Sequence, residues 1–354
     1  MDRLCYNPSC RRSSDIVIVC LILTPLAILW WAGTWQMMDI VISTKHSYVS
    51  HLISLAIGLN ICISGSYASV FIAKQEAYYG RALACRVFNY VYSLGLINFW
   101  RGVWGTTDDI VNTQEDHKIV LSSLLLAVSV MLLILLRGLV SCVSFPFWIN
   151  TEFGHTFKPA KLRFRSNVSA ILSSKVSATL PSDKYDILVK YYIHCKCSLR
   201  HCVIGTCITH NVWLIIPFQI ADFWWFTADV FVTQAVIHPL IVLTWRGIWT
   251  IIVETVSPDH ELKFHIICAG FGLGSCFVLH ALDYPFYLLS TKLDHSRLAK
   301  HAFELVVNAL ATITGLLLWV GVWQTLKEDV LRKALWKGIL FHFIGVCFKV
   351  VFHF

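Results

Sequence analysis

Apolar runs longer than the roughly 20 residues that cross a bilayer's hydrocarbon core recur along this chain, which limits it to membrane architectures. The balance of residues agrees, with 56% hydrophobic and 14% charged side chains over 354 positions. A soluble domain carries about 25% charged residues. The expected fold is all-α, a polytopic helical membrane protein. Spans are placed at about 16–38, 48–73, 82–105, 119–146, 222–250, 263–289, 301–325 and 335–353, which makes eight. The first is read as retained, since its apolar run ends in tryptophans and lacks a small-residue cleavage site.

Orientation follows from the basic connections. Arg3, Arg11 and Arg12 precede the first span, Lys74, Arg81 and Arg86 flank the second connection, and Lys292, Arg297 and Lys300 flank the sixth. The central loop, 151–200, is also rich in Lys and Arg, while the alternate connections are acidic or mixed. Both termini are therefore expected in the cytosol. The net charge of +8 is explained by these loops, so nucleic acid is not an expected partner. The organisation expected is a first helical half at 1–150, the basic cytosolic loop at 151–200 and a second half at 201–354, with an extra apolar segment at 201–219 read as re-entrant or interfacial.

Within the loop, Phe164, Val168, Leu172, Val176 and Leu180 recur every four residues among basic side chains. An amphipathic helix on anionic inner-leaflet lipid and a disordered linker both fit that pattern. The sequon at Asn167 should stay unmodified if the loop is cytosolic. The 13 cysteines avoid the expected outer loops, which argues against a disulfide framework. In "HCKCSLRHC", Cys195, Cys197 and Cys202 are candidates for palmitoylation, with a zinc site as the alternative.

One string recurs: "WAGTWQMMD" from Trp31, "WRGVWGTTD" from Trp100, "WRGIWTIIVE" from Trp245 and "WVGVWQTLKE" from Trp319, at intervals of 69, 145 and 74 residues. Each copy closes an odd-numbered span, so the chain reads as four tandem helical hairpin repeats. The two tryptophans of a copy stand four residues apart on one helical face, and the glycine between them admits another backbone. An interfacial aromatic belt is the simplest account of the tryptophans.

The candidate residues are Trp100, Arg101, Gly102, Trp104 and Asp108 in the second copy, and Trp245, Arg246, Gly247, Trp249 and Glu254 in the third. Arg101 and Arg246 lie inside the outer boundary, where a charge is costly unless paired. Asp108 and Glu254 stand seven and eight residues beyond them, too far for contact along one helix, so a carboxylate from a neighbouring hairpin or a tryptophan of another copy is the expected partner. The first and fourth copies carry Ala32 and Val320 instead of arginine. Deeper polar positions are Arg137, Asp229, Asp283, His280 and Glu304, with Arg137 and either aspartate as the pair to test; snorkelling and capping explain some of them equally well. Gly270 and Gly274 in "GFGLG" have the spacing of close helix packing.

The W-R-G-x-W copies and the hairpin count resemble the Fuseless family of eight-pass membrane proteins across most of the chain. That resemblance implies an animal plasma-membrane protein linked to synapse organisation and calcium-channel placement, with no established enzymatic chemistry, and carries over no defined site residues. No P-loop, G-x-S-x-G or H-E-x-x-H string is present and no cofactor is expected. Two functions are open: a membrane organiser that binds lipids and other membrane proteins, or a transporter or channel that uses the intramembrane charges.

Overall fold

The computed structural model describes residues 16–73, 78–136, 138–142, 224, 226–256, 262–327 and 335–351. Among these are eight long helices: α1 Thr24–Val41, α2 Ser47–Ala73, α3 Tyr78–Val111, α4 Lys118–Leu135, α5 His238–Val256, α6 Leu262–Lys292, α7 Arg297–Thr325 and α8 Leu335–Val351. Six helical stretches are long and apolar enough to cross a membrane: Ile16–Val41, Ser47–Ala68, Lys118–Leu135, Phe226–Thr255, Leu262–Leu282 and Leu298–Thr325. α3 is outside that set, and the apolar part of α8, Leu335–Cys347, is shorter.

Two π-turns, Val19–Leu23 and Thr233–Ile237, lead into α1 and α5. Each is followed by an X-Pro pair, Thr24-Pro25 and His238-Pro239. Proline has no N–H to return to the preceding turn, so the ladder loosens there. In the first case the Thr24 hydroxyl closes the gap by donating to the Val19 carbonyl at 2.8 Å. Both prolines stand six residues before the first tryptophan of their copy, a shared signal that the bare W-x-G-x-W string does not contain.

α4 ends at Leu135, well before the span end expected near residue 146. The apolar composition runs on, but Gly138 donates its N–H to the Leu133 carbonyl at 2.7 Å, a helix-ending bond, and a 3-10 turn, Leu139–Cys142, follows. α6 instead continues through Pro285 to Lys292. α7 is capped by Ser296, whose hydroxyl accepts the Ala299 N–H at 3.4 Å.

The chain divides into two compact units, the first comprising 1–56, 97–160 and 237–354 and the second 57–96 and 161–236. In the second, Gln234 donates its amide N–H to the Ser66 hydroxyl at 3.2 Å and to the Tyr92 phenol oxygen at 3.3 Å, and the Tyr67 hydroxyl donates to Thr227 at 3.1 Å. Asp229, expected as an intramembrane group, is buried in this unit. The first unit holds all four tryptophan copies.

Candidate functional site: a double tryptophan ring with arginine clasps

The four copies converge. Trp31, Trp100, Trp245 and Trp319 form a closed ring, with centroids of successive indoles 5.8, 5.1, 5.7 and 5.8 Å apart on going round. One turn along each helix, Trp35, Trp104, Trp249 and Trp323 form a second ring, with separations of 6.3, 5.4, 6.2 and 5.6 Å. Every neighbouring pair meets edge to face, at interplanar angles between 79 and 89°. That geometry sets the positive edge of one indole against the negative face of the next, and in a closed ring each edge has a face to meet. The four-residue spacing puts the rings about 6 Å apart along the helices. These tryptophans face one another across the four helices.

The glycines seat the surrounding helices. A Cβ on Gly102 would lie 2.5 Å from the Leu55 backbone on α2, one on Gly247 would lie 2.7 Å from Leu126 on α4, and one on Gly33 would lie 2.8 Å from the Gly338 carbonyl on α8. Gly321 approaches the Ala269 backbone on α6 equally closely. Hence α3, α5 and α7 each pack through the motif glycine on the helix before them in the chain, and α1 packs on the last. At that closing seam the Thr34 hydroxyl and His342 Nδ1 are 2.8 Å apart. In "GFGLG" the close approach belongs to the middle glycine, Gly272, which meets the Leu318 backbone, while Gly270 and Gly274 have open space at the Cβ position.

Both arginines are clasped by the preceding copy. Arg101 donates from Nε to Asp39 Oδ1 at 2.7 Å, and its Nη atoms reach the Ser50 carbonyl at 3.3 Å, the Ser50 hydroxyl at 2.8 Å and the Ser54 hydroxyl. Arg246 donates from Nε to Asp108 Oδ1 at 2.7 Å and from Nη1 to Ser122 at 3.3 Å and Thr250 at 3.5 Å. Each guanidinium is 2% exposed, so the multiple donors offset the loss of water. Asp39 and Asp108 both stand eight residues after the first tryptophan of their copy. The expectation of a carboxylate from a neighbouring element is met by Asp108 for Arg246 and by Asp39, missed in the sequence, for Arg101. Glu254 is one residue further along, at the ninth position, and pairs with Lys118 on α4.

In the ring of Trp31, Trp100, Trp245 and Trp319, called the inner ring below, the Trp245 indole N–H donates to the Cys142 carbonyl at 2.9 Å. The early end of α4 is what brings that carbonyl to the ring. Trp319 Nε1 is buried without a hydrogen-bond partner among the described residues.

Of the remaining candidates, Arg137, Cys195, Cys197 and Cys202 lie outside the described residues, and so do the 151–200 loop and the 201–219 segment. Asp283 is within α6, its side chain outside that description. His280 is buried, and Glu304 accepts from Ser290 at 3.4 Å and sits 3.6 Å from His301. Among the described residues no three His, Cys, Asp or Glu side chains gather to hold a metal.

A family model described as Fuseless matches residues 12–354, which takes in every copy of the motif. The chain belongs to the Fuseless family. No curated protein and no solved structure matches it. In this Fuseless chain the rings and clasps link the four motif copies to one another.

Proposed function

We propose that this chain is a multi-pass organiser of the plasma membrane, with eight helices crossing the bilayer as four repeated pairs and both termini in the cytosol. Its outward helix faces and its basic loop, 151–200, bind other membrane proteins and anionic inner-leaflet lipid. Family membership lends the link to synapse organisation and calcium-channel placement. The observation that carries the reading is the closed double ring: eight indoles occupy the place where a central path would run, and Arg101 and Arg246 are spent on clasps. A path for solute needs polar groups that face a cavity and exchange partners.

The test is reconstitution of the full chain in vesicles beside its Asp229→Asn variant. The organiser reading expects no solute flux or current from either, together with retention of membrane-protein partners. Flux that Asp229→Asn alters at equal insertion overturns it.

A transporter is the second reading, and one pattern favours it. Thr24, His238 and Thr312 stand seven residues before Trp31, Trp245 and Trp319, on the tryptophan face, and Asn308 stands eleven before Trp319. Asn308 Oδ1 and His238 Nδ1 are buried without hydrogen-bond partners among the described residues. On this reading the rings are a closed gate above a polar lining, and Asn308→Leu abolishes a flux that the wild-type chain shows.

A further inference from the structure

The register that builds the tryptophan rings also orders the chain beneath them. Thr24, Ser93, His238 and Thr312 each stand seven residues before the first tryptophan of their copy, two turns along the same helical face. Every copy is therefore polar at one depth, about 10 Å from the inner ring. Asn308 stands one turn further along α7. Thr24, His238, Asn308 and Thr312 share the first compact unit. There α7 lies between α1 and α5 at the inner ring, with Trp319 5.8 Å from Trp31 and 5.7 Å from Trp245. The packing continues beneath it, since Cys20, Ile28, Ile237, Ile241 and Ala311 join those tryptophans in one apolar cluster.

Hydrogen bonding at this depth is one-sided. The Thr24 hydroxyl gives its proton to the Val19 carbonyl and the Thr312 hydroxyl gives its own to the Asn308 backbone carbonyl, both at 2.8 Å. Each oxygen is left able only to accept. Asn308 is 2% exposed, and its Oδ1 is buried without a hydrogen-bond partner among the described residues, as is His238 Nδ1. Burying such groups unpaired is costly. A water would offer two protons to four acceptors and leave its own lone pairs unmet. A cation asks for acceptors alone. The set holds no carboxylate, which calcium and magnesium sites use, and no thiolate, which soft transition metals select. Arg101 and Arg246 reach the other way, toward Asp39 and Asp108 on the far side of the rings.

We propose that Thr24, His238, Asn308 and Thr312 form a binding site, beneath the inner ring, for a monovalent cation, an alkali metal ion or ammonium. Neutral oxygens are enough to replace the water around such an ion. The site shares its residues with the transporter reading but not the flux, since an ion that binds and stays also suits an organiser.

The full chain is purified in detergent with N-methylglucamine as the sole cation and titrated with sodium, potassium or ammonium at constant ionic strength, while tryptophan emission follows its melting. At least one of the three is expected to raise the melting temperature saturably, and the one that acts at the lowest concentration identifies the ligand. Asn308→Leu removes an unpaired buried group, so it is expected to melt no lower than the wild type in N-methylglucamine while its half-saturating cation concentration rises about tenfold or more. Thr312→Val is expected to weaken binding to a similar degree. Thr325→Val, which loses the same kind of backbone bond at the far end of α7, is expected to leave it unchanged. The absence of a saturable shift with all three ions overturns the proposal, and so does a shift that Asn308→Leu and Thr312→Val both retain in full. A lower melting temperature for Asn308→Leu in N-methylglucamine also overturns it, because the amide would then have a partner in the protein. None of these readings uses flux: a wild type that binds an ion in detergent and passes none across a vesicle keeps both this site and the organiser reading, and flux without saturable binding overturns both.

Discussion

Arg246 of the third copy donates to Asp108 of the second at 2.7 Å, and the guanidinium so held is 2% exposed. Removing the carboxylate strands a buried charge, which typically costs ~3–5 kcal/mol when both partners are buried. The Asp108 side chain is 39% exposed, so water offsets part of that. Asp108→Ala is expected to destabilise the chain by about 2–3 kcal/mol, and Asp108→Ala with Arg246→Leu by less than Asp108→Ala alone. Thermal unfolding in detergent, followed by tryptophan emission, measures both. Equal loss in the single and double variants would show that the clasp is not the source.

The two inner-ring tryptophans with buried indole nitrogens predict unequal losses. Trp245→Phe removes the hydrogen bond to Cys142, whereas Trp319→Phe removes an N–H that has no partner. Trp245→Phe is expected to be the more damaging by about 1 kcal/mol, as the same melting experiment reads. A reversed order would mean that Cys142 does not hold the ring.

Gly321→Ala and Gly274→Ala compare a filled and an empty site. The first drives a methyl into the Ala269 backbone and is expected to lower stability by about 1–3 kcal/mol. The second meets open space and gains helix propensity of up to about 1 kcal/mol, so its melting temperature should hold or rise. Similar losses in both would contradict the seam assigned to Gly321.

Orientation has a direct readout. With the 151–200 loop in the cytosol, Asn167 carries no glycan on protein made in animal cells, and a mass shift removed by glycosidase would place the loop outside.

The sequence showed the face made by Trp100 and Trp104 and the need of Arg101 for a partner, because both follow from spacing along one helix. It did not show Asp39 as that partner, since a helical register says nothing about which helices are neighbours. A signal was there: aspartate stands eight residues after the first tryptophan in two copies, and those two precede the two copies that carry arginine. The tryptophan ring was hidden for a related reason. Boundary anchoring and ring formation ask for the same residue at the same depth, and only the neighbouring helices decide between them. The end of α4 was missed because hydropathy does not change at Gly138; a backbone bond ends that helix.

The seam between Gly33 on α1 and Gly338 on α8 bears on how the protein is made. A ribosome delivers α1 well before its glycine-matched neighbour α8, so the tryptophans of α1, α3, α5 and α7 are all synthesised before the helix that covers Gly33. Until α8 arrives, Thr34 lacks His342 and the bare backbone at Gly33 faces lipid or a holding factor. The packing of α1 is thus completed by a helix some three hundred residues further along the chain.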